Sequence, residues 1–171
     1  LLPAMIRKRL PRATILTFWH IPWPNPESFG ICPWQREILQ GMLGSTILGF
    51  HTRFHCKNFI ETVDRYLEAQ ASPEMKAYPY HFHVMKFQGD TAWLSTPRNV
   101  DVPAARAIAA MFPEVDTHNP DNPAFIAAQQ RLGEVQGQAR AIVLSQSGVA
   151  QVRWELDRDW LTAHAIDVPT H

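Results

Sequence analysis

The sequence predicts an α/β fold, and three observations carry that expectation. Two short apolar runs rich in β-branched and aromatic residues, 14–19 and 45–50, read as strands buried on both faces. Helical patterns lie before, between and after them. The links are short, which favours parallel strands joined by right-handed crossovers.

Residues 3–10 read as a helix that Pro11-Arg12 ends, and the first strand follows. Alternate prolines in Ile21-Pro22-Trp23-Pro24-Asn25-Pro26 fix φ and hold a stiff, extended loop. Pro33 suits the first position of a second helix, with Trp34, Ile38, Leu39, Met42 and Leu43 in one apolar stripe. Gly44 supplies the stop. After the second strand, Thr52 can cap a third helix whose apolar face is Phe59, Ile60, Val63, Tyr66 and Leu67.

A boundary is expected near residues 70–74, dividing the chain into 1–70 and an α+β continuation, 71–171. In the continuation, the alternation around His81, His83, Met85 and Phe87 reads as a strand. Residues 103–112 read as a helix, and 113–122 as a polar, proline-broken loop. Asn122-Pro123 opens a further helix that buries Phe125, Ile126, Leu132 and Val135. Residues 141–144 and 149–156 read as two strands around Ser147-Gly148, and Asp159 as the cap of a last short helix. No repeat or low-complexity tract is present.

The 171 residues fit one domain, or one domain with a small extension. Hydrophobic residues are 46% and charged residues 19%, which excludes wholesale disorder. Sixteen basic and sixteen acidic side chains give a net charge of zero, and so no global field for nucleic acid or an anionic membrane. Cys32 and Cys56 cannot build a disulfide framework. No apolar run reaches the roughly 18 residues that a membrane span needs. The N-terminal basic residues follow an apolar start, unlike a signal peptide, and the opening reads as the inside of a helix. The expectation is therefore a cytoplasmic protein seen as an incomplete chain.

Ligands of open parallel sheets bind outside the carboxyl ends of strands. His20 directly follows the first strand and His51 the second, so adjacent strands would bring both to one rim. Helix N-termini there would also offer N–H groups to an anion. The alternative for each is a loop histidine satisfied by nearby backbone.

Three blocks then acquire a common meaning. They are Phe18-Trp19-His20-Ile21-Pro22-Trp23-Pro24, the run from Pro33-Trp34-Gln35-Arg36-Glu37 to Gly44, and Leu48-Gly49-Phe50-His51-Thr52. Their sequence and spacing closely resemble the trehalose-6-phosphate synthase family, glycosyltransferase family 20. The resemblance is firm over residues 1–70, with an echo at Lys76-Ala77-Tyr78-Pro79.

It implies part of a GT-B fold, built from Rossmann-like domains, and retaining glucosyl transfer from UDP-glucose to glucose 6-phosphate. It implies a nucleotide-sugar donor and a sugar-phosphate acceptor as partners, with no metal or other cofactor. By resemblance His20 is the active-site histidine that contacts the donor, and His20, Trp23 and His51 form the substrate-binding set. The residue types alone favour packing for Trp19 and Trp23, a cap or strand-end role for His51, and a solvated face or internal pair for Arg36 and Glu37. The family's donor-phosphate arginine and lysine, and its sugar-gripping acid pair, have no recognisable motifs in residues 71–171. Its glycine-rich stretch and acceptor-phosphate arginine correspond to positions upstream of Leu1.

Two other classes compete with that reading. His51 and His55 at i, i+4, adjacent Cys56, and His81 with His83 could hold zinc, although their spacing matches no compact zinc module. A truncated chain without its own activity would fold, leave apolar surface open and self-associate. Glu114, Asp116, His118 and Asp121 read as a solvated loop. Ser145-Gln146-Ser147-Gly148 lacks the leading glycine of a nucleophile elbow. Arg7, Lys8, Arg9 and Arg12 read as a solvated helix end.

Overall fold

The computed structural model describes residues 1–146 and 148–168. Along the chain run α1 (Leu2–Arg9), β1 (Leu16–Trp19), α2 (Pro26–Gly30), α3 (Gln35–Met42), β2 (Ile47–Phe50), α4 (Arg53–Glu68) and α5 (Pro73–Lys76). They are followed by β3 (Val84–Gln88), β4 (Thr91–Thr96), α6 (Ala104–Met111), α7 (Pro123–Leu144), β5 (Gln151–Leu156) and α8 (Arg158–Ala163). The fold is α/β. β1 and β2 pair in parallel, with Leu16 opposite Ile47 and Trp19 opposite Phe50. A second sheet has the order β3-β4-β5, antiparallel then parallel.

The β1–β2 ribbon is covered on one face only, where buried-type runs predict two. Trp19, Leu48 and Phe50 pack against the main core. On the opposite face Leu16 is 69% exposed, Phe18 49% and Ile47 57%. Side chains alternate across a strand, so a single layer of helices can cover only every second residue.

The main core joins both sides of residues 70–74: Trp23, Leu39, Phe59 and Val63 pack with Val84, Leu94 and Val143. A second cluster gathers Tyr78, Tyr80, Ile108, Phe125, Leu132 and Val135.

Several local expectations change in three dimensions. Residues 141–144 form the last turn of α7 and not a strand. Leu132, Val135, Ala139 and Val143 fall at helical spacing and are all buried, so the long helix absorbs the short apolar run. Ile126 lies off that stripe and is exposed. β4 is an additional strand reached through a two-residue turn, in which Gly89 takes φ +64°. The strand expected from His81 starts later, at Val84. Asp157, not Asp159, caps α8: it accepts the Trp160 N–H at 2.9 Å and the Tyr80 hydroxyl at 3.0 Å. Ser147 of the expected inter-strand turn lies outside the described residues.

In the first half, the stiff 21–26 loop runs into the short helix α2, capped by Asn25. α3 starts at Gln35, after Pro33, and Trp34 at its N-cap position is exposed. Gly44 has no positive φ. It is needed for a close approach, because a Cβ there would lie 2.5 Å from the Ala4 backbone. Arg7 is no solvated residue. Its guanidinium donates to the carbonyls of Gly44, Pro11 and Ala13 and to the Thr46 hydroxyl, tying α1 to the entries of both parallel strands.

Candidate functional site

The parallel pairing of β1 with β2 brings His20 and His51 to the same rim, immediately beyond the Trp19–Phe50 pair. Their ring centroids are 5.6 Å apart, and both rings meet the edge or face of Phe18, at 4.8 and 5.0 Å. Both side chains are exposed. The His51 Nε2–H donates to the main-chain carbonyl of His20 at 2.9 Å. A carbonyl only accepts, so this bond fixes the proton on Nε2 of His51. The His20 ring lies exposed at the same rim, edge-on to Phe18 and His51.

The loop after His20 is anchored from behind. Trp23 is 1% exposed, stacked on Phe29 at 4.6 Å and edge-on to Phe59 at 4.9 Å. Its indole N–H donates to the Thr62 hydroxyl at 3.1 Å, and the Asn58 amide donates to its carbonyl at 3.1 Å. Thr62 in turn donates to the Asn58 carbonyl at 2.6 Å. Trp23 is thus a core anchor, its ring enclosed by Phe29 and Phe59. Asn58 and Thr62 were missed by sequence reasoning. Their signal is a pair of polar residues at i, i+4 on the apolar face of α4, beside Phe59 and Val63.

The Thr52 cap forms as expected, accepting the His55 N–H at 3.2 Å and directing the start of α4 toward the rim. Glu27 of α2 pairs with Arg65 of α4 and closes the far side of the loop. Arg36 and Glu37 are both exposed on α3.

The zinc constellation does not assemble. His83 is held by Ser95 at 3.1 Å, and no group of three or more His, Cys, Asp or Glu among the described residues is placed to hold a metal ion. Among the described residues no helix is long and apolar enough to cross a membrane.

The model of glycosyltransferase family 20 matches residues 1–90, more than half of the 171. The chain belongs to glycosyltransferase family 20. This match passes the 70–74 boundary and takes in β3.

Over 102 residues the chain is 35% identical to an alpha,alpha-trehalose-phosphate synthase [UDP-forming] of Pichia angusta, covering 51% of this chain and 22% of that protein. Over 72 residues it is 42% identical to a trehalose-6-phosphate synthase of Mycobacterium avium, covering 42% and 15%. Over 78 residues it is 35% identical to the trehalose synthase complex regulatory subunit TPS3 of Saccharomyces cerevisiae, covering 46% and 7%. The chain therefore spans less than a quarter of each of these relatives. No solved structure matches.

Proposed function

We propose that this family 20 chain supplies the donor-facing rim of a retaining glucosyltransferase that uses UDP-glucose and glucose 6-phosphate. The observation that carries the reading is the His20–His51 pair at the carboxyl ends of β1 and β2, within the family match. The name of the Pichia angusta relative, a UDP-forming synthase, supports a uridine diphosphate leaving group. In this reading residues 1–70 belong to a GT-B Rossmann-like domain, and the protein works in the cytoplasm with no metal and no nucleic-acid or membrane partner.

His20 acts as an N–H donor toward the charge that develops between the glucosyl group and its departing diphosphate. Such a group accelerates the step only if its position is set before the charge appears. His51 holds the His20 main chain, while the Trp23 anchor and adjacent prolines hold the rest of the loop. A misplacement of about 1 Å can cost on the order of a hundredfold in rate.

The uncovered apolar face of Leu16, Phe18 and Ile47 favours a second reading, in which the chain self-associates and performs no turnover by itself. Saturation-transfer NMR with UDP-glucose separates the two. Transfer to the glucose protons that disappears in His20→Ala supports the donor rim, and turnover with glucose 6-phosphate is then assayed. A folded chain with no transfer leaves the second reading.

A further inference from the structure

A second concave region lies at the carboxyl ends of the other parallel pair. β4 and β5 end together at Thr96 and Leu156, which are register partners. Beyond them, between the 98–100 loop and α7, opens a cleft of about 660 Å³. None of the residues of the His20–His51 rim lines it.

The chemistry of its walls is one-sided. Arg98 and Arg140 both line it, and neither is within ion-pairing distance of a carboxylate among the described residues. No acidic side chain lines the cleft. The acid of the loop, Asp101, accepts from Asn99 Nδ2 at 3.1 Å. Arg98 is aimed by a relay: its guanidinium donates to Gln136 Oε1 at 3.2 Å, and Gln136 Nε2 donates to the Thr96 hydroxyl at 3.1 Å. That relay uses only part of the guanidinium's five-donor fork.

Two more residues shape the space. Trp154, half-buried on β5, presents part of its ring to the cleft. Gly137 lies in the middle of α7, where glycine costs about 1 kcal/mol relative to alanine. A Cβ at Gly137 would meet no atom within 4 Å, as at Gly133 one turn earlier, so the helix is open to solvent here. The missing side chain at Gly137 lowers the helix wall of the cleft.

Arginine forks match the oxygens of phosphate, and an aromatic face takes a flat or ring-shaped body. Ligands of α/β sheets bind beyond the carboxyl ends of parallel strands, in clefts of roughly 300–1,000 Å³. We propose that this cleft binds a phosphate monoester with a ring-shaped body, its phosphate held by Arg98 and Arg140 and its ring against Trp154.

The test is a titration of the ¹⁵N-labelled chain with phenyl phosphate, followed through the arginine Nε–H and Trp154 indole resonances. The expected result is a saturable shift of Arg98, Arg140 and Trp154, which phenol alone does not reproduce. Arg140→Gln should weaken binding at least about tenfold, as loss of a charge-assisted contact predicts, and Arg98→Gln should do likewise. Gly137→Leu should abolish binding without lowering Tm, because it fills the cleft while favouring the helix. Unaltered binding by Arg140→Gln or by Gly137→Leu overturns the proposal. So do shifts that rise without saturation at basic residues throughout the chain.

Discussion

The His51 side chain grips the main chain of His20, with Nε2 2.9 Å from the carbonyl oxygen. The two histidines of the rim are thus held differently: the His51 ring is bonded to the loop at the end of β1, and the His20 ring packs edge-on to Phe18 and His51. In the proposed function, the first is a positioning residue and the second the donor contact.

Replacement of His51 should therefore weaken donor binding through the loop. His51→Ala is expected to lower UDP-glucose affinity several-fold, and His51→Gln, whose amide can still donate to the carbonyl, to restore part of it. Titration by ligand-observed NMR measures both. Equal losses in the two variants would remove the positioning role.

The anchor behind the loop should be a stability residue. Thr62→Val leaves the buried Trp23 indole N–H without its acceptor and should cost about 1–3 kcal/mol. Trp23→Ala should cost about 3–5 kcal/mol by opening a cavity. Urea unfolding measures both, and a Thr62→Val midpoint equal to that of the parent would show that the bond contributes nothing.

Asp64 gives the fold a specific pH response. Its Oδ1 accepts the Val84 N–H at 2.5 Å, linking α4 to β3, and it lines a cavity of about 110 Å³ with Lys76, His81 and His83. Burial pushes its carboxyl up to about 7, against the pull of the Val84 N–H and His83, and Glu68 and Glu61 add to the rise. A folded-state pKa raised above the ordinary 3.8 means that the native chain binds this proton more tightly than the unfolded one. Its contribution is then fully present below about 3.8 and is lost as pH rises through about 7. Stability should fall by on the order of 4 kcal/mol between pH 4 and pH 8 from this group. Asp64→Asn, which keeps an acceptor for Val84, should flatten that slope. Denaturation across the pH series decides, and parallel slopes would rule Asp64 out as the source.

The open face of the β1–β2 ribbon should make the chain self-associate. Sedimentation velocity is expected to show concentration-dependent oligomers, and Leu16→Lys with Ile47→Lys should shift them to monomer. A parent chain that sediments as a clean monomer counts against it.

Gly44 should tolerate no side chain. Gly44→Ala sets a Cβ 2.5 Å from the Ala4 backbone and should cost about 1–3 kcal/mol, read as a lower Tm. An unchanged Tm would show that α1 can move away freely.

The sequence by itself determined what depends on neighbours along the chain. The Thr52 and Asn122 caps, the α4 stripe of Phe59, Val63 and Leu67, and the placing of His20 and His51 at successive strand ends are all set by local chemistry and by the order of elements. The three blocks carried the family for the same reason, since their residues and spacing are linear information. Gly89-Asp90 already contained the turn of the β3–β4 hairpin, but Thr91–Thr96 has no clean alternation to complete the pattern.

Only the tertiary structure decided which groups meet. A tryptophan between prolines favours packing by its residue type, but what it packs against is set only where Phe29, Asn58 and Thr62 close around it. A basic helix end reads as solvated until Arg7 reaches the entries of two strands. An apolar tetrapeptide fits strand or helix until Val143 packs with Val84, Ala92 and Leu94, all distant in sequence. Burial and hydrogen-bond pairing are settled by contacts distant in sequence, and periodicity reports only the repeat of the backbone that carries the side chains.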